Sequence, residues 1–337
     1  MKAFRRYVLF LLILSGGLSV YVQARYQPGY PRALGLQPDA FVRQTVRRVL
    51  EQTPTQIVML GDSLLQADVD AAVLSTALGV EIYSVRASGS ASALWYLVLE
   101  NNIVEAERKP RALIMLFRDT MLTLPGYRVH GSYFIPIDEY AAPDDLVFIE
   151  RAYVNRMNPL EKLAEAYLPV YGARLDLRKS LDAGIRYTPP RLFLQCDAAC
   201  TNGAMDAVFR AANLEANLLA EAVASAEAYL YTPRALDFDA SVDDSFLPEI
   251  VRLCRENGIQ LIFVRARTLR FDSEPPGLKT YMDDLASYLD ERGIPFLDFS
   301  RDERLVPALF ADNLHLNEAG RIVFTEILAE ALKPVLK

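Results

Sequence analysis

"IVMLGDSLLQADVD" (57–70) runs as four apolar residues and then breaks at Gly61-Asp62-Ser63. A short apolar run ended by glycine reads as a buried strand. The Asp and Ser that come next are both good helix caps. A strand feeding directly into a helix is the start of a βα unit, and the pattern repeats along the chain. "QIVML" (56–60) precedes a helix with Leu65, Val69, Ala72, Val73 and Thr76 on one face, then "EIYSV" (81–85), a helix from about Ala91, and "RALIMLF" (111–117). The rhythm resumes with "IQLIFVRA" (259–266), a helix over 279–292 and "IPFLDFS" (294–300). A last helix begins near Asn317, and its Phe324, Ile327, Leu328 and Leu332 form a stripe that closes against the sheet. Five short apolar runs separated by helices predict an α/β domain with a parallel sheet buried on both faces.

Between the two halves, "GAMDAVFRAANLEANLLAEAVASAEAYL" (203–230) has no proline and reads as one long helix. Residues from about 130 to 245 are expected to be a mainly helical insertion on a single α/β domain spanning 40–337, rather than an independent fold. "RYTPPRLFL" (186–194) has no clear assignment.

The chain has 337 residues, 52% of them hydrophobic, and a formal charge of -7. It can bury a large core, and an acidic total with no basic cluster beyond the N-terminus argues against nucleic acid. At that N-terminus, Lys2, Arg5 and Arg6 precede sixteen uncharged residues, "YVLFLLILSGGLSVYV" (7–22). Residues 1–24 are therefore a signal peptide or a membrane anchor, and the length of the apolar stretch favours the uncleaved anchor. Either way the domain is expected outside the cytoplasm, held at the membrane or secreted after cleavage. Three prolines and two glycines in "RYQPGYPRALGLQP" (25–38) suit a tether over 25–39. Export would let Cys196 and Cys200 of "CDAAC" close a small loop and leave Cys254 free, with connectivity open. Two histidines, neither near a cysteine, argue against zinc.

A turn at the carboxyl end of the first strand is where open α/β sheets place ligands, and Ser63 stands there. Asp62 or Ser63 serves equally well as a plain N-cap. The far end of the chain bears on the choice. A serine nucleophile needs a base, usually histidine, oriented by a carboxylate. "FADNLHLNEAG" (310–320) offers Asp312 and His315, three residues apart on a turn before the last helix. Arg265 and Arg267 come after the fourth strand at the same sheet edge, where they either make the crevice cationic or pair with acids of the insertion. His130 reads as a surface residue. Trp95, Tyr96, Tyr127, Tyr133 and Phe134 lie in segments leaving the crevice, where core packing is a more frequent fate than carbohydrate stacking.

"VMLGDSLLQ" (58–66) and "DNLHLNEAG" (312–320) resemble the first and last motif blocks of the SGNH, or GDSL-like, hydrolase superfamily. The resemblance implies a flavodoxin-like three-layer sandwich with Ser63 as nucleophile, His315 as base and Asp312 as its orienting carboxylate. It also implies an oxyanion hole built from the Ser63 N–H and a glycine after the second strand, for which Gly89 in "VRASGSAS" (85–92) is the candidate and Ser88 a shifted alternative. In the third block the family's asparagine is replaced by Arg118 of "LFRDT" (116–120), which either donates to the oxyanion or forms an ion pair with Asp119. The activity implied by the resemblance is that of a serine esterase or O-acyltransferase without metal or cofactor. Its substrate would be an acylated glycan or another ester, with O-acetyl groups of envelope or secreted polysaccharide as the leading case. A transferase would draw its acyl group from a membrane partner protein. The reading from a different class is a non-catalytic envelope binding or assembly module that retains the fold.

Overall fold

The computed structural model describes residues 2–26, 29–38, 42–130, 133–174, 227–269 and 274–336, with the shorter pieces 177–178, 180–181, 184, 188, 192, 197, 199–201 and 203. The chain forms two compact units, one of Met1–Gln37 with Tyr153–Glu227 and the other of Pro38–Ala152 with Ala228–Lys337. The stretch expected as one insertion is thus divided. Residues 130–152 and 228–245 belong to the α/β unit, and the middle clusters with the N-terminal segment. Most of the long helix expected over 203–230 lies outside the described residues, as does nearly all of "RYTPPRLFL"; at the helix's far end Ala228–Tyr231 is a 3₁₀ turn.

In chain order the main elements are α1 (Lys2–Tyr26), α2 (Thr45–Gln52), β1 (Ile57–Gly61), α3 (Ser63–Asp68), α4 (Ala71–Leu78), β2 (Ile82–Arg86) and α5 (Ser92–Val98). They continue with β3 (Ala112–Phe117), α6 (Phe134–Tyr140), α7 (Leu146–Ala152), α8 (Pro159–Tyr167), α9 (Pro169–Gly172) and α10 (Leu247–Glu256). The last are β4 (Gln260–Arg265), α11 (Pro276–Asp290), β5 (Phe296–Asp298) and α12 (Glu318–Leu332). The five strands form one parallel sheet in the order β2-β1-β3-β4-β5, the flavodoxin-like doubly wound arrangement. Every residue of β1 and β3 is buried, as expected for central strands covered on both faces.

Alternation divides each strand between two layers. Ile57 and Met59 of β1, Ala112, Ile114 and Leu116 of β3, and Ile262 and Val264 of β4 share one core with Leu64 and Leu65 of α3 and Phe324, Ile327, Leu328 and Leu332 of α12. Phe299 meets Phe324 edge-on at 5.3 Å between ring centroids, closing that core beyond β5. The opposite face is covered by α5, every residue of which is buried, and by α10. Trp95 and Tyr96 are therefore core residues, and Tyr96 stacks on Phe246 at 4.9 Å.

The helix expected after β1 is broken in two. Val69 is extended, and the Asp70 carboxylate caps α4 by accepting from the Ala72 and Val73 N–H groups. The break rotates the second segment, so Leu74 is its buried residue while Ala72, Val73 and Thr76 face outward. Cys200 is disulfide-bonded, and Cys254 is free and buried, its thiol pushed up to about 12 by burial. Helix α1 holds a stretch, Ala3–Arg25, long and apolar enough to cross a membrane and almost wholly exposed.

Candidate active site

The strand order reverses at β1 and β3, so their carboxyl ends open the crevice in which doubly wound sheets bind ligands. Ser63 leaves β1 as the first residue of α3. The capping role falls to its neighbour: the buried Asp62 carboxylate accepts from the Leu64 N–H at 2.9 Å. That frees the Ser63 hydroxyl, which lies 2.9 Å from Nε2 of His315. Nδ1 of His315 lies 2.9 Å from Oδ2 of Asp312, whose Oδ1 accepts from the Leu314 and His315 N–H groups at 2.7 and 2.8 Å. One carboxylate thus folds the turn and orients the ring. Burial alone would raise the Asp312 pKa, but the bonds from the ring and the two N–H groups outweigh it and hold the carboxyl below its ordinary value.

The loop that carries the pair is held at several points. Phe310 and Leu316 form an antiparallel bridge, and the Asn317 side chain caps α12 by accepting from Gly320. The Leu316 N–H donates at 2.9 Å to Oδ1 of Asp68, a fully buried carboxyl at the end of α3. Asp68 therefore ties the loop of His315 to the helix that begins with Ser63. Burial pushes its pKa well up, and the nearby charges of Asp62 and Asp312 push the same way. The sequence carries no local sign of this role, because Leu316 is 248 residues away.

The turn after β2 lies beside α3: the Ala87 N–H donates to the carbonyl of Gly61 and the Ser88 hydroxyl to Gln66. Gly89 adopts φ +71°, and a Cβ there would collide with the Tyr133 ring. Among the described residues, nothing accepts a hydrogen bond from the N–H of Ser63 or Gly89. Helix α3 has only six residues, so any help to an anion comes from these individual N–H groups more than from the helix dipole expected of a longer helix.

Arg118 is buried and its guanidinium lies 2.5 Å from Oδ2 of Asp119. Burial disfavours that charge, but the carboxylates of Asp119 and Asp62 outweigh it and raise the pKa. Asp119 sits at φ +50° and also accepts from the Tyr231 hydroxyl at 2.8 Å. Of the two roles open to Arg118, the structure displays the ion pair. Arg265 pairs with Glu274 and Asp298, both within the α/β unit, and Arg267 donates to the carbonyl of Asp302. Among the described residues, these partners all lie outside the insertion. His130 is exposed, Tyr127 is buried under the Arg128 guanidinium, and Tyr133 and Phe134 are half-buried. Among the described residues, no group of three or more His, Cys, Asp or Glu is arranged to hold a metal ion.

The arrangement can move a proton from Ser63 to His315 while Asp312 fixes the ring tautomer and stabilises the imidazolium that forms. No protein-family model matches the chain, and no curated protein matches it. Among solved structures, the chain is similar to a GDSL-like lipase from Bacteroides thetaiotaomicron, with 11% identity over 88% of this chain and 93% of that one and a TM-score of 0.35.

Proposed function

We propose that this protein is an exported, membrane-anchored serine esterase or O-acyltransferase of the SGNH type, acting on O-acyl groups of envelope or secreted polysaccharide. The observation that carries the reading is the Asp312, His315 and Ser63 relay, two hydrogen bonds of 2.9 Å in series. Ser63 Oγ attacks the ester carbonyl as Nε2 of His315 takes its proton. The oxyanion that forms is met by the Ser63 and Gly89 N–H groups, with Arg118 adding positive charge nearby. His315 then returns the proton to the departing sugar hydroxyl, leaving the acyl group on Ser63. A water, or the hydroxyl of a second sugar, gives its proton to His315 and takes the acyl group, and His315 returns that proton to the departing Ser63 Oγ. Esterase and transferase differ only in that acceptor. The apolar α1 and its basic flank support the location, with Lys2, Arg5 and Arg6 on the cytoplasmic side and the rest outside.

The test is to incubate the detergent-solubilised full chain with an O-acetylated polysaccharide and measure free acetate and acetyl transfer to an added unacetylated glycan. Release or transfer that disappears with Ser63→Ala supports the proposal. A wild-type protein that binds the glycan and leaves every acetyl group in place overturns it in favour of a binding module.

A further inference from the structure

Helix α8 is inside out. Its start is well specified, since Asn158 accepts from the Glu161 N–H at 3.0 Å, Glu161 accepts from the Asn158 N–H at 2.8 Å, and Pro159 opens the first turn. Its inward face is polar: Glu165 is fully buried and paired with Arg174, whose guanidinium rests on the Tyr171 ring at 4.3 Å. Its outward face is apolar. Leu160, Leu163 and Tyr167, spaced to share one side of the helix, are 77%, 58% and 61% exposed, and Leu168 comes next at 40%. A helix on a water-soluble surface has the opposite arrangement.

Neighbouring contacts within the same unit show what lies beside this face. Helix α9, joined to α8 through Leu168, packs against α1. The shielded positions of α1 are Ser15, Ser19 and Val22, one side of its second half. The chain leaving α1 is pinned to α8, with the Arg32 N–H donating to the carbonyl of Ala166 at 3.0 Å. Helix α9 thus packs against α1, and α8 is held beside it through Leu168 and the Arg32 bond. We infer that α8 is an interfacial helix that lies in the outer membrane–water boundary, with Leu160, Leu163, Tyr167 and Leu168 seated among the lipid acyl chains. A helix with an apolar face ending in tyrosine suits that boundary, where aromatic rings with one polar end concentrate. The inference rests on the anchor reading of α1. It adds a second membrane contact, which holds the N-terminal unit flat on the bilayer instead of letting it swing from a single helix.

The experiment uses the full chain reconstituted into vesicles of phosphatidylethanolamine and phosphatidylglycerol. A nitrobenzoxadiazole label is placed at Leu163→Cys or at Lys162→Cys, a half-buried position about 100° around α8 from it, and nitroxide lipids labelled high on the acyl chain serve as quenchers. Retention after a carbonate wash reads the anchor separately. The expected result is a carbonate-resistant chain with at least a threefold greater lipid quenching at 163 than at 162. A resistant chain with equal or no quenching at the two positions overturns the inference and leaves the anchor standing. A label at 163 that is blue-shifted but unquenched by lipid overturns it in favour of a protein occupant. A chain removed by carbonate overturns both.

Discussion

His315 Nε2 lies 2.9 Å from Ser63 Oγ although 252 residues separate them in the chain. The contact requires the turn after β1 and the loop before α12 to meet at the same end of the sheet. If it carries the chemistry, Ser63→Ala and His315→Ala each lower kcat/KM for p-nitrophenyl acetate by about 10³-fold or more, and the double variant is little worse than either single one, as for groups acting as a unit. Steady-state kinetics on the three variants, with unfolding temperatures to show that each is folded, makes the check. Losses that multiply would mean separate roles.

Asp68 predicts a pH signature in stability. Its folded pKa is raised, so the native state holds this proton more tightly than the unfolded chain does. Its contribution therefore becomes less favourable as pH rises from the ordinary carboxylate range toward the folded value. Asp68→Asn keeps an acceptor for the Leu316 N–H and removes the titration. The difference in unfolding temperature, variant minus wild type, is expected to grow in the variant's favour as pH is raised through that range. A difference that stays constant contradicts the assignment.

Gly89→Ala forces a Cβ into the Tyr133 ring and a side chain into a left-handed conformation, which by itself costs about 1–2 kcal/mol. Activity is expected to fall further than stability, because the N–H proposed to meet the oxyanion shifts with the turn. Comparing kcat with the denaturant midpoint separates the two effects.

Arg118→Met leaves the carboxylates of Asp62 and Asp119 buried without their cation, and breaking a buried pair in this way typically costs about 3–5 kcal/mol. Arg118→Met with Asp119→Asn is expected to recover a substantial part of that loss in chemical denaturation. No recovery would mean that Arg118 serves chiefly Asp62.

The sheet is legible in the sequence because each strand is a short apolar run flanked by turn residues, and the last helix because its stripe is regular. The break between α3 and α4 is not, since Asp70 is polar in either arrangement and only its cap to Ala72 and Val73 tells them apart. The division of the middle of the chain is equally hidden, because nothing local distinguishes residues 130–152, which pack with the sheet's unit, from the segment beyond them. Within the site, the spacing of Asp312 and His315 is informative because a three-residue turn lets one carboxylate cap the backbone and hold the ring. Asp62 and Ser63 are interchangeable as caps on sequence alone, and the hydrogen bond to Leu64 separates them. Tyr133 and Tyr231 reach the site only through tertiary contacts with Gly89 and Asp119.

Whether Ser63 is an activated nucleophile is read by intact-mass analysis of the full chain after treatment with a fluorophosphonate. A single phosphonyl adduct is expected on wild type, mapped to Ser63, with none on Ser63→Ala or His315→Ala. A folded wild-type protein that stays unmodified, or an adduct that persists in Ser63→Ala, would refute the assignment.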